Sequence, residues 1–353
     1  MRLTSSFFCF HPPNPSFSGG ELRSLHGMVK GLFRKRYIGL IIKVVIAIVA
    51  LVFIYREVQL KGQETDLRFG INILSENLPQ LFGLIALMLL NWTLEAFKWR
   101  ILIQHLEKIS LWKSLKAILS GITVAIFTPN RVGEYGGRVF HLKEADRIDA
   151  VLLTIVGSYA QLVVTLVAGI IATIFFLPQY VGIGPVTPMQ YNLIGLLMFG
   201  LAIALVILFL NTRLLTTILN WLPIPEKYQH YSKVFEYHTS ATLWKVFLAS
   251  LGRYAVFTLQ FFLLLQLFDV EIGYINAMMM ISMTYFVMTA VPTIAITELG
   301  VRGSMAVYFL GMLSENVKSI FMASSMLWLI NLAVPALIGV LFIFQLRFFR
   351  KSD

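Results

Sequence analysis

Apolar residues run through this chain in long stretches separated by short polar segments. Full crossings of a bilayer are predicted near residues 37–55, 79–103, 149–177, 190–211, 243–268 and 317–346. Most of these exceed the roughly 18 apolar residues that read as a membrane span. Two shorter apolar segments, 114–127 and 274–291, lie between them, and each runs into a polar motif followed by a moderately apolar piece, 132–142 or 299–313. Half-length segments joined by irregular, charged backbone are the sequence form of a re-entrant helical hairpin. Such backbone is tolerated at membrane depth only when buried in protein or lining a wet cavity. The pattern predicts an all-α polytopic membrane protein, with about six full transmembrane helices plus two re-entrant helical hairpins.

Charge sets the orientation. Arg34, Lys35 and Arg36, the group from Lys98 to Lys116, Lys143, Arg147, Arg213, Lys227, Lys233, Arg347, Arg350 and Lys351 fall on one side of this layout. Arg56, Lys61, Arg68 and Lys318 fall on the other, diluted by acidic residues such as Glu57, Glu64, Asp66 and Glu76. The positive-inside rule then places both termini in the cytoplasm. If both short segments are hairpins, each half holds an odd number of crossings and the halves have opposite orientation. The expected organisation is a tail at 1–33, a first membrane repeat at 34–189 with its re-entrant motif at 114–142, and a second at 190–353 with its motif at 274–313. This is an inverted repeat, and it brings both motifs toward the bilayer midplane.

The motifs resemble one another. Thr128-Pro129-Asn130-Arg131-Val132-Gly133-Glu134-Tyr135-Gly136-Gly137-Arg138 and the segment from Val291 to Gly303 each carry a proline and then a Glu-x-Gly-x-Arg-type core. Glu134 with Arg138, and Glu298 with Arg302, are spaced to be neighbours on a helix face. The plainer reading is an internal salt bridge that makes each short helix insertable. The sharper one is that the arginines hold a phosphate, which the planar guanidinium fork suits, while the glutamates keep them oriented. Gly133, Gly137 and Gly300 would let backbone approach closely, and a helix N-terminus offers free N–H groups. Duplication favours a ligand site built from Pro129, Asn130, Arg131, Gly133, Glu134, Gly137, Arg138, Pro292, Glu298, Gly300 and Arg302, with Arg253 as a further candidate.

Other polar positions read differently. Glu95 lies at helical spacing from Lys98 and Arg100 and is expected to form an interfacial pair with them. Asn91, Gln161, Gln260 and Asn331 are expected as interhelical hydrogen-bond glue. The segment 212–242 suggests an amphipathic helix at the interface. Residues 1–27 read as a tail, with Met28 as the expected natural start.

Composition narrows the chemistry. Hydrophobic residues make up 58% and charged residues 13%, so the formal charge of +11 is better explained by membrane topology than by nucleic acid. Cys9 is the single cysteine, and the six histidines never pair at metal-ligand spacing, so no metal and no other cofactor is expected.

The block at 129–138 and the later Glu298-Leu299-Gly300-Val301-Arg302 block resemble the membrane domain of lysylphosphatidylglycerol synthases, and the flippase-like proteins that have that domain alone. The resemblance covers about residues 34–350, though Thr293-Ile294-Ala295-Ile296-Thr297 departs from the family's Gly-rich approach to the second block. It implies movement of a phospholipid or glycolipid between leaflets of the cell (cytoplasmic) membrane. The chain ends a few residues beyond the last span, so the soluble aminoacyl-transferase domain of the bifunctional members is not expected. The alternatives are an intramembrane transferase acting on a lipid-linked substrate, and a non-catalytic accessory subunit partnering a lipid-modifying enzyme. Glu134 and Glu298 are the carboxylates placed to carry a proton. Oligomeric state is open.

Overall fold

The computed structural model describes residues 38, 41, 44, 45, 48, 52, 67–128, 131–176, 187–211, 238–291 and 295–344. The tail and its start at Met28, most of the 37–55 span, Pro129, Asn130, Pro292 and most of 212–242 lie outside these residues. The chain divides into a unit at 1–42, of which only Ile38 and Ile41 are described (both helical), and a unit at 43–353 that holds everything below.

The described residues of this second unit from Leu67 onward form a bundle of helices. They are numbered α1 (Leu67–Glu76), α2 (Leu78–Ile103), α3 (Leu111–Ala125), α4 (Gly133–Val139), α5 (Arg147–Phe176) and α6 (Pro188–Leu210). After these come α7 (Ser240–Leu267), α8 (Tyr274–Ala290), α9 (Ala295–Leu310), α10 (Val317–Trp328), a π turn (Leu329–Ala333) and α11 (Val334–Ile343). Five runs are long and apolar enough to cross a membrane: α2, α5, α6, α7 and the continuous stretch Val317–Ile343. They coincide within a few residues with five of the expected spans, and the chain is an all-α, multi-pass membrane protein.

Local sequence explains where the helices begin. The Ser110, Thr239 and Asn316 side chains accept the N–H groups of Lys113, Thr242 and Ser319. Thr187 and Gln190 form a reciprocal capping box ahead of α6, where Pro188 occupies the first turn. Burial then sorts the spans. α6 is the most apolar of these spans and buries only Ala202 and Phe209, so it sits at the rim against α5. The run Val317–Ile343 is far more enclosed.

Helix α2 lies antiparallel along α7, because Leu84 meets Gln260 near one end and Asn91 and Glu95 meet Arg253 further along. Helices α3 and α4 fold back on each other. Gly133 packs at Val124, and the Gly137 backbone approaches Gly121 so closely that a Cβ on Gly137 would stand 2.6 Å from the Gly121 Cα. His141 then hydrogen-bonds Ser120 at 2.8 Å. α11 lies across α3 just as tightly, with the Thr123 hydroxyl donating to the Ala336 carbonyl at 2.7 Å. Small residues and hydroxyl bonds at helix crossings are how bundles pack in lipid, where apolar burial alone does not discriminate.

Pro335 accounts for the π turn. It has no N–H to offer the carbonyl of Asn331, and its ring crowds that carbonyl, so the preceding turn widens over Leu329–Ala333.

Outside the spans, Glu107 ties the α2–α3 connection to the α4–α5 connection. Its carboxylate accepts the N–H groups of Lys143 (2.7 Å), Glu144 (2.8 Å) and Ala145 (3.3 Å) and pairs with Lys113 at 2.6 Å. Burial pushes this carboxyl up, but the Lys113 ammonium and the three N–H donors outweigh it and hold its pKa down to about 2.

Two outcomes are expected. Gly137→Ala should lower the thermal midpoint in detergent, by the equivalent of about 1–3 kcal/mol for an overpacked contact. Gly83→Ala, where no atom lies within 4 Å of the new Cβ, should not lower it. The stability that Glu107 supplies is complete above the ordinary carboxylate pKa of 4.5 and is lost as pH falls toward 2. The difference in thermal midpoint between wild type and Glu107→Gln should therefore be full at pH 7 and shrink below pH ~4.5. A difference that is the same at pH 3 and pH 7 would refute the clip.

Candidate functional site

Five positively charged side chains meet three carboxylates inside the bundle. Glu95, only 3% exposed on α2, is the centre of the first group. One of its oxygens accepts Arg138 Nη1 from α4 at 2.8 Å. The other takes Lys98 Nζ at 2.7 Å, together with Arg253 Nη1 from α7. Arg138 uses its remaining Nη2 on Glu134, and Arg131 Nη2 stands 3.8 Å from that same carboxylate. Arg253 is held further by Nε donating to Asn91 Oδ1 at 2.9 Å and by the face of Trp92, 5.2 Å from its guanidinium carbon.

The second group is simpler. Arg302 donates to one Glu298 oxygen through Nε (2.9 Å) and Nη2 (2.6 Å). α9 begins at Ala295, four residues before the expected start, so Glu298 occupies its first turn, as Glu134 occupies that of α4. The positive helix ends proposed for a phosphate are thus already faced by carboxylates.

A cavity of about 580 Å³ joins the two groups. Its wall includes Arg131, Arg253, Glu298 and Arg302, with Asn91, Gln161 and Asn331 between them. Lys98, Arg131, Arg138, Arg253 and Arg302 against Glu95, Glu134 and Glu298 leave a formal excess of two positive charges around it. Four wall residues also carry a buried donor with no hydrogen-bond partner in the protein: Trp92 Nε1, Arg131 Nε, Tyr285 Oη and Trp328 Nε1. Buried donors without acceptors are costly and uncommon. An acceptor-rich anion in the cavity would answer the charge, while Gln161 Oε1, a wall acceptor equally without a partner, calls for a donor.

The residues singled out in sequence do not all reach this wall. Arg131, Arg253, Glu298 and Arg302 line it, whereas Arg138 stands behind it, paired with Glu95 and Glu134 through its two Nη atoms and with its Nε unpartnered. Gly133 and Gly137 serve the α3–α4 contact rather than a ligand's approach, and Gly300 lies on α9 between Glu298 and Arg302. Arg131 occupies a left-handed backbone conformation, φ 59°, next to a Thr128 hydroxyl that accepts the Gly133 N–H at 2.9 Å. A non-glycine residue held there is strained, and such strain gathers at ligand sites.

Glu95 is the residue that the spacing argument misplaced. Its pair with Lys98 is present, but it is buried rather than interfacial, and its further partners come from α4 and α7. Depth was the available signal. Glu95 lies eight residues inside the end of α2 at Ile103, about 12 Å along the axis, which is deep for a side chain kept at the interface.

Removing this carboxylate leaves three cations facing one another. Glu95→Ala should cost about 3–5 kcal/mol, the usual effect of breaking a buried ion pair from one side. Purification in detergent should then yield little monodisperse protein. Glu298→Gln, whose partner Arg302 has access to the cavity, should purify normally. Equal yields and thermal midpoints for both variants would show that Glu95 does not hold the bundle together.

Residues 40–339 match the family described as Lysylphosphatidylglycerol synthase TM region. No curated protein and no solved structure matches the chain.

Proposed function

The chain belongs to the lysylphosphatidylglycerol synthase TM-region family, and on that premise we propose that it moves an anionic lipid headgroup between membrane leaflets through the central cavity. The observation that carries this reading is the set of three wall arginines and four unpartnered buried donors around one cavity in a membrane bundle. Phosphate is the lipid group that matches such a lining, because its oxygens accept several N–H and O–H donors at once. The acyl tails would stay in lipid while the headgroup crosses.

In this reading Arg131 and Arg302 hold the phosphate and Arg253 completes the site. Glu134 and Glu298 orient the first two, so that each guanidinium keeps its fork in place with donors to spare. Arg138 and Glu95 are positioning residues that fix α4 beneath Arg131. The pairs α3–α4 and α8–α9 act as the two re-entrant hairpins of inverted halves, 34–189 and 190–353, with both termini in the cytoplasm and the protein in the cell membrane. Rocking of one half against the other would expose the cavity to each side in turn.

Lipid movement in proteoliposomes tests the reading, with headgroup-labelled and acyl-labelled phospholipids compared. Wild type should move lipid. Arg131→Ala with Arg302→Ala should slow it roughly ten- to a hundredfold, the equivalent of one lost charge-assisted hydrogen bond. A folded wild-type protein that moves no lipid from a broad panel, including native extracts, would favour an accessory role.

A further inference from the structure

We propose that a second cavity, at the end of the bundle where α2 begins and α7 ends, is the exit station of the same route, and that the buried amides of Asn91, Asn331 and Gln260 form the gate between the two. This rests on the transport reading above and adds a second site and the residues that separate it from the first.

The second cavity is about 600 Å³, close in size to the central one. Its polar wall is made by Asn77, Gln80, Gln266 and Asp269. Two of these amides already donate to the backbone. Asn77 donates to the Ile73 carbonyl at 2.9 Å, and Gln266 donates to the Val270 carbonyl at 3.3 Å. What remains for a ligand is their carbonyl oxygens, one N–H of Asn77 and the whole amide of Gln80, and Asp269 adds a carboxylate. Among the described residues, no arginine or lysine lines this cavity. Its described wall therefore differs from the central one: neutral amides and one carboxylate stand where the central cavity has three arginines, so it is the less favourable place for an anion. It can hydrogen-bond the polar part of a headgroup and holds the phosphate less strongly than the three arginines do. A route needs this asymmetry, because a second cationic site would trap what the first one releases.

The two cavities are joined by hydrogen bonds rather than by open space. Arg253 donates to Asn91, whose Nδ2 donates to Asn331 Oδ1 at 3.4 Å. Asn331 Nδ2 donates to Gln260 Oε1 at 2.7 Å, and Gln260 Nε2 donates to the Leu84 carbonyl at 2.8 Å. Asn91 and Asn331 line the central cavity, while Leu84 lines the second. Gln260, completely buried, is the one side chain that bridges them in this chain of bonds. Three amides at 5% exposure or less are an expensive way to pack helices unless their polarity is used. Each amide carries both donors and acceptors, so the bonds can be exchanged with a passing polar group and re-formed after it. A wall of leucine could not do this, and a wall of charges would not let go. Asn331 also sits in the π turn before Pro335, where the regular helical ladder is already interrupted and a change of register is cheap.

Thiol accessibility tests the gate without relying on lipid movement. In a Cys9→Ser background, Thr165→Cys reports on the central cavity and Gln80→Cys on the second. A membrane-impermeant maleimide is added to oriented proteoliposomes on the side where α2 begins. Gln80→Cys should label readily in every background. Labelling of Thr165→Cys should rise about tenfold or more when Gln260→Ala and Asn331→Ala are combined. Gln260→Met, which keeps the volume and loses the amide, should raise it in the same direction, and it serves if the double variant fails to fold. Unchanged Thr165→Cys labelling in folded Gln260→Met or the double variant would overturn the gate and leave the amides as packing. Gate-dependent labelling in a protein that moves no lipid would keep the connection and sink the transport reading instead.

Discussion

A single buried carboxylate organises this bundle. Glu95 gathers an ammonium from its own helix and guanidinium groups from α4 and α7, of which only Arg253 keeps exposure to the cavity. None of these charges would be tolerable alone at such burial, because desolvation of an unpaired ion exceeds anything that packing returns. The consequence is geometric as well as energetic. The short helix α4 has seven residues, too few to be stable by itself, and its register against α3 is fixed by glycine contacts on one side and by Arg138 reaching Glu95 on the other. The position of Arg131, at the turn that enters α4, follows from that anchor.

The charges divide into two kinds by how fully they are satisfied. Arg138 and Lys98 are enclosed and spend their charge on the protein. Arg131, Arg253 and Arg302 are each held by a partner yet retain exposure to the cavity. The glutamates explain this difference. A guanidinium has five donors, so a carboxylate that takes one or two of them fixes its orientation and leaves the rest for a ligand. Tyr285 and Trp328 contribute to the same wall with donors that find no acceptor within the protein.

Much of this was legible in the chain, and what was missed has a common cause. Span positions follow from run length, because a bilayer imposes its thickness on the sequence, and α2, α5, α6 and α7 lie close to where hydropathy put them. The duplicated Glu and Arg motif was visible because its pairs are local, four residues apart on one helix. Glu95 was misread for the mirror reason: its local neighbour Lys98 was visible, whereas Arg138 and Arg253 lie 43 and 158 residues away. Arg138 was read as a ligand residue for want of the same information, since nothing in its own segment announces a second carboxylate. Asn91, Gln260 and Asn331 are expected one by one as interhelical glue, and they do bond between helices, but as one connected chain. Its order depends on which helices touch, and sequence spacing does not contain that.

Arg253 belongs to both polar systems. Its Nη1 holds the Glu95 network, its Nε holds Asn91 at the head of the amide chain, and its plane rests on Trp92 at the cavity wall. Among the described residues, three of its five donors are free, so an anion can engage this guanidinium directly, and drawing it toward the cavity pulls against its bonds to Asn91 and Glu95. Glu95 retains Arg138 and Lys98 and so loses little. Asn91 keeps only its 3.4 Å bond to Asn331, the longest in the chain of amides. The weak link in that chain therefore lies where occupancy of the central cavity would first be felt, and charge in the cavity is tied by one side chain to the hydrogen bonds that close its far wall.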